Sequence, residues 1–143
     1  MTLIYIAGPL FNAHERWYLA RVAESLEVAG YRTFLPQRDA GLVQADSSPE
    51  ERLRIFQKDL GALQSCDLCV ALLTGADHDS GTSAELGYLY ARGTPCIGLS
   101  DDKRAHVNTI IWGICGGGTR IVRTMEEVLE LVKDLTAPQL GND

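Results

Sequence analysis

Basic runs, membrane-length apolar runs and glycine-rich phosphate fingerprints are all missing from this chain, and each absence removes a class of function. Lys and Arg number 13 against 19 Asp and Glu, for a formal net charge of −6. Phosphate backbones recruit clustered Lys and Arg, so no nucleic-acid polymer is expected as a partner. No apolar stretch approaches the roughly 20 residues that cross a bilayer. The start, Met1-Thr2-Leu3-Ile4-Tyr5-Ile6-Ala7-Gly8-Pro9, lacks the basic head and long apolar core of a secretory signal. A soluble, cytoplasmic protein without a membrane partner is the expectation. Cysteine numbers four. Cys66 and Cys69 form a CxxC, but Cys96 and Cys115 make no second one, and His14, His78 and His106 lie far apart. No zinc set is completed, and buried, reduced thiols are expected.

What is present is an alternation of strand and helix signals in 143 residues, 45% of them hydrophobic, a size that fits one domain. Apolar runs at 3–7, 31–35, 68–73, 95–99 and 120–122 read as strands. Between them, 12–29 reads as a helix whose near-helical spacing includes Trp17, Ala20, Val22, Ala23, Leu26 and Ala29, stopped by Gly30. Ser48-Pro49-Glu50-Glu51 and Thr124-Met125-Glu126-Glu127 are capping boxes that open two further helices, and another runs over about 82–92. Residues 37–47 are polar and without period, so they read as a loop. This pace implies a doubly wound α/β fold, a five-stranded parallel sheet of the flavodoxin-like, Rossmann-like kind in the order 2-1-3-4-5. One domain is expected over 1–135, with a flexible tail over 136–143.

In that order the ligand crevice opens between strands 1 and 3, where the turn after Ala7 faces the turn after Leu73. The first turn reads Gly8-Pro9-Leu10-Phe11, not GxGxxG or a Walker sequence, and Pro9 has no N–H to offer a phosphate. A nicotinamide, flavin or nucleoside triphosphate is therefore not expected. The second turn, Asp79-Ser80-Gly81-Thr82-Ser83-Ala84-Glu85-Leu86-Gly87, carries two acids. A carboxylate in the first turn of a helix is held ionised by free N–H groups, which is how Glu85 reads, and a neighbouring charge would raise Asp79 toward a proton donor. Tyr5, at the end of the first strand, is placed to orient Glu85 through its hydroxyl.

Taken in order, Tyr5-Ile6-Ala7-Gly8-Pro9-Leu10-Phe11, Leu35-Pro36-Gln37-Arg38-Asp39, Asp59, Asp67, Asp79-Ser80-Gly81-Thr82 with Glu85-Leu86-Gly87, and Asn108 with Trp112-Gly113 resemble the nucleoside 2-deoxyribosyltransferases. The resemblance implies a retaining double displacement in which Glu85 attacks C1′ of a 2′-deoxynucleoside. A covalent deoxyribosyl ester forms, and a second free nucleobase collapses it. It further implies Asp79 as the proton-transfer residue, Asp59 holding the sugar and the site network, and Gln37 meeting the base edge. Gly8, Pro9, Phe11, Ser80 and Gly81 would contact substrate. A homo-oligomer is implied too, dimeric or dimer-based, in which Asn108 reaches the sugar's 5′ end in a neighbouring site. Related enzymes carry methionine two places after this asparagine, where this chain has Ile110. Neither metal nor organic cofactor is implied, because nucleophile and proton donor come from the protein.

Plainer readings stand beside these. Thr82-Ser83-Ala84-Glu85 is itself a capping-box sequence, Asp79 suits a turn, Asp59 an exposed helix face and Tyr5 a core position. Two other functions share the fold. A nucleoside 5′-monophosphate N-glycosidase would use water as acceptor, yet the first turn offers no arginine before Arg16 to meet a phosphate. A non-catalytic nucleoside or nucleotide sensor would have no need of a carboxylate aimed at C1′.

Overall fold

Successive side chains on a strand point to opposite faces of a sheet, and the strands here use that alternation to build two apolar layers. The computed structural model describes residues 1–75, 78–102 and 106–138. Strands β1 (Leu3–Ala7), β2 (Arg32–Phe34), β3 (Leu68–Leu72), β4 (Cys96–Leu99) and β5 (Ile121–Val122) form one parallel sheet in the order β2-β1-β3-β4-β5. On one face Ile4, Ile6, Leu68, Val70, Leu72, Ile97 and Leu99 pack under α1 (Ala13–Val28) and α6 (Met125–Thr136). On the other, Tyr5, Ala7, Cys69, Ala71, Leu73 and Cys96 meet α3 (Pro49–Ser65), α4 (Ser80–Ala91) and α5 (Thr109–Ile114). All of β3 is buried, as is β1 from Ile4 on, which is why these runs are apolar throughout.

The chain leaves β1 toward β2 in one direction and returns to β3 in the other, so the carboxyl ends of β1 and β3 diverge and leave a crevice between them. Glycine at position 8 is required there by packing: a Cβ would stand 2.7 Å from Leu19 Cδ2 and 3.1 Å from Leu72 Cβ.

Several expectations need correction. The segment read as a loop from residue 37 opens with a short helix, α2 (Pro36–Asp39). Its first turn is closed by Asp39 Oδ2, which accepts the Leu35 N–H at 2.8 Å, and Arg38 pins it by bonding Glu27 at 2.8 Å and the Thr33 carbonyl at 3.2 Å. The segment around Asn108, which carried no helix signal, forms α5 with Asn108 as N-cap. Trp17 is 65% exposed and lies outside the buried stripe of α1, which is Leu19, Val22, Ala23 and Leu26. Finally, α4 starts at Ser80, two residues earlier than its signal suggests. Of the expected tail, Thr136 ends α6, and residues 139–143 lie outside the described residues.

Candidate active site

Asp79, not Thr82, caps α4, and this shifts everything that follows it. Asp79 Oδ2 accepts the Thr82 N–H at 2.8 Å and the Thr82 hydroxyl at 2.7 Å. Thr82 is thereby buried, and Glu85 falls in the second turn of α4, beyond the reach of the free N–H groups of the first. The reading of Glu85 as a first-turn carboxylate is corrected accordingly. The helix instead carries Glu85 over the end of β1, where the fully buried Tyr5 donates its hydroxyl to Glu85 Oε1 at 2.8 Å.

Electrostatics follow from that position. Burial pushes the Glu85 carboxyl up to about 7, the Tyr5 hydrogen bond pulls it down, and the charges of Asp59 and Asp79 add to the rise. Burial also pushes Asp59 up to about 6, and its Oδ1 is buried without a hydrogen-bond partner among the described residues. The Tyr5 phenol is held far above its ordinary value by burial first and then by the charges of Glu85 and Asp59, so it remains a donor. Burial thus outweighs the one interaction that favours the Glu85 carboxylate, and near neutral pH both protonation states are populated.

Asp59, Asp79 and Glu85 line one cavity of about 230 Å³ with Gly8, Leu10, Phe11, Pro36 and Gly81. The two turns therefore face one another across the crevice. All three charged side chains among these residues are acids. A second cavity of about 330 Å³ shares Asp59 and Glu85 and continues into the apolar side chains of Phe56, Leu60, Leu63 and Tyr88. Among the described residues no three His, Cys, Asp or Glu side chains are grouped so as to hold a metal ion. Cys66, Cys69, Cys96 and Cys115 are free and buried.

Other residues singled out from the sequence lie further away. Pro9 lines an adjoining cavity with Phe11, Asn12 and Asp79, and Ser80 is exposed at the start of α4. Gln37 turns inward: its Nε2 donates to the Arg16 carbonyl at 2.8 Å, and Pro36 represents this segment in the Glu85 cavity. His78, His106 and Asn108 line a separate cavity with Ser83 and Gly87, which occupy the face of α4 opposite Gly81 and Glu85. Asn108 accepts the Ile110 N–H at 2.9 Å as the cap of α5, and it lines neither cavity that holds Glu85. Leu10 and Pro36 were not singled out as contacts, although both sit inside quoted motifs.

Comparison with known proteins gives the family. An uncharacterized protein, C191.05c, of Schizosaccharomyces pombe is 32% identical over 111 residues, covering 72% of this chain and 52% of the relative. The chain thus spans about half the length of that curated relative. A conserved protein from Enterococcus faecalis V583 superposes with a TM-score of 0.81 at 28% identity, over 94% of this chain and 98% of the other. A 2-deoxyribosyltransferase from Bacillus psychrosaccharolyticus shares the fold, with a TM-score of 0.77 at 24% identity over 89% and 90% of the two chains. Residues 4–135 match the family described as Nucleoside 2-deoxyribosyltransferase, and the chain belongs to that family.

Proposed function

We propose that the protein moves 2-deoxyribose between nucleobases through a covalent ester on Glu85. The observation that carries this reading is the 2.8 Å hydrogen bond from buried Tyr5 to Glu85 Oε1, inside the crevice where β1 and β3 diverge. That bond leaves the second carboxylate oxygen, Oε2, as the attacking atom. In the first step an Oε2–C1′ bond forms as the C1′–N bond breaks, and the departing base takes the bonding pair and a proton from Asp79. In the second step a nitrogen of the incoming base attacks C1′, Glu85 leaves as carboxylate, and the proton lost by that base returns to Asp79. Two inversions at C1′ give net retention. Asp59, whose Oδ1 has no partner among the described residues, is positioned to take a hydrogen bond from the sugar.

An uncharged substrate suits the site. A 5′-phosphate dianion would enter a cavity whose charged lining residues are Asp59, Asp79 and Glu85. Completion of each site by Asn108 of a second copy belongs to the same reading. It is supported by the exposure of Ile110 and Trp112, 71% and 49%, beside Asn108 in the chain.

The test is base exchange. Purified protein is incubated with deoxyinosine plus adenine, and separately with thymidine plus adenine, beside a Glu85→Ala control. Deoxyadenosine formed by the unmodified protein alone is the expected result. Failure with both donors, or release of free base into water from 5′-monophosphates instead, overturns the transferase reading.

A further inference from the structure

On the reading that Glu85 is the nucleophile, we propose that Phe34 is a positioning residue for it: the Phe34 ring sets the tilt of the Tyr5 ring and so places the Tyr5 hydroxyl on Glu85 Oε1. Parallel register makes Phe34 on β2 and Cys69 on β3 the direct neighbours of Tyr5 across the sheet. All three side chains join the layer under α3 and α4. The Phe34 and Tyr5 rings are stacked, with centroids 5.6 Å apart and planes 15° from parallel.

A phenol hydroxyl sits at the end of a long lever. A ring tilt of roughly 10° carries it by about 1 Å, enough to spoil a hydrogen bond on which a reacting carboxylate depends. Cys69, on the other side of the ring, offers one sulfur and no plane. Phe34 supplies the flat surface that resists tilting of the Tyr5 ring, and stacked pairs of this kind are favourable beyond their buried area. Around Glu85 stand Tyr5 from β1, Cys69 from β3, Asp59 from α3 and Asp79 at the head of α4. Of these, Tyr5 is the group that favours the carboxylate. Loosening its ring therefore leaves burial and the two acids to hold Glu85 protonated.

Carboxyl ¹³C titration of Glu85 reads this contact without any turnover, in the unmodified protein and in Tyr5→Phe, Phe34→Leu and Phe34→Tyr variants. The midpoint is expected to move upward in Phe34→Leu, in the same direction as in Tyr5→Phe, and to return in Phe34→Tyr, which keeps the plane. In base exchange at pH 7, Phe34→Leu is expected to lower kcat about tenfold with KM changed less than about threefold, the signature of a misplaced reacting group. An unmoved midpoint in Phe34→Leu beside a raised one in Tyr5→Phe overturns the proposal. If Phe34→Leu does not melt cooperatively, Phe34→Met, which keeps bulk without a plane, takes its place. Absence of exchange in the unmodified protein counts against the transferase reading, while the titration still decides the role of Phe34.

Discussion

The proposed nucleophilic attack needs an ionised Glu85, yet burial beside Asp59 and Asp79 pushes that carboxyl from 4.5 up to about 7. Base exchange is therefore expected to fall on the acid side with an apparent midpoint near 7, and Tyr5→Phe, which removes the opposing hydrogen bond, should shift that limb upward; a pH series of kcat reads both. The same shift sets a stability slope. Below about pH 4.5 the group is neutral in folded and unfolded chains alike. Between about pH 4.5 and 7 the unfolded chain ionises at this group while the folded chain keeps its proton, so stability present at low pH is lost across that window. The penalty above pH 7 is roughly 2 to 3 kcal/mol. Glu85→Gln should consequently raise the melting temperature at pH 8 by roughly 5 °C and change it little at pH 4, while abolishing exchange. Equal gains at both pH values would contradict the assignment.

Helix α4 joins folding and chemistry in one residue, because Asp79 is both its N-cap and the proposed proton carrier. Asparagine caps as well as aspartate, whereas alanine forfeits about 1 kcal/mol. Asp79→Asn is thus expected to melt within about 0.5 kcal/mol of the unmodified protein yet exchange bases at least about a hundredfold more slowly. Asp79→Ala should lose both stability and rate. Denaturant melts run beside the exchange assay separate the two roles, and an active Asp79→Asn would remove Asp79 from the proton path.

At the scale of the whole molecule, the exposed apolar side chains include Phe56 on α3, Tyr88 and Tyr90 on α4, and Ile110 and Trp112 on α5, where a partner is proposed. A chain of 15.6 kDa that completes its site with a second copy should sediment at twice that mass or more. Ile110→Glu replaces a side chain that is 71% exposed in the single chain, so the fold should tolerate it within about 0.5 kcal/mol. Dissociation together with loss of exchange is the expected outcome. A monomeric, fully active unmodified protein would remove Asn108 from the site.

Strand positions and sheet order were legible because strands buried on both faces must be apolar along their whole length, as Leu68 to Leu72 are. The capping box at Thr124 was equally plain, since Thr124 and Glu127 bond each other's backbone N–H groups within one turn. The pairing of Tyr5 with Glu85 was expected from the order 2-1-3-4-5, which brings the ends of β1 and β3 together. Local sequence did not reveal α2 or α5, of 4 and 6 residues, because so few positions show no period and the helices are held by contacts made elsewhere. It also read Thr82 as a cap and Asp79 as a turn residue, whereas the fold puts the cap three residues earlier, on Asp79. What the sequence determined by itself was the set of elements and their order, because periodicity and capping are properties of neighbours along the chain. Only the tertiary structure decided that Glu85 is half-buried with a raised pKa, that Phe34 stacks on Tyr5, and that Gln37 and Asn108 do not line the Glu85 cavity, because desolvation and side-chain direction depend on groups that the fold brings from distant strands.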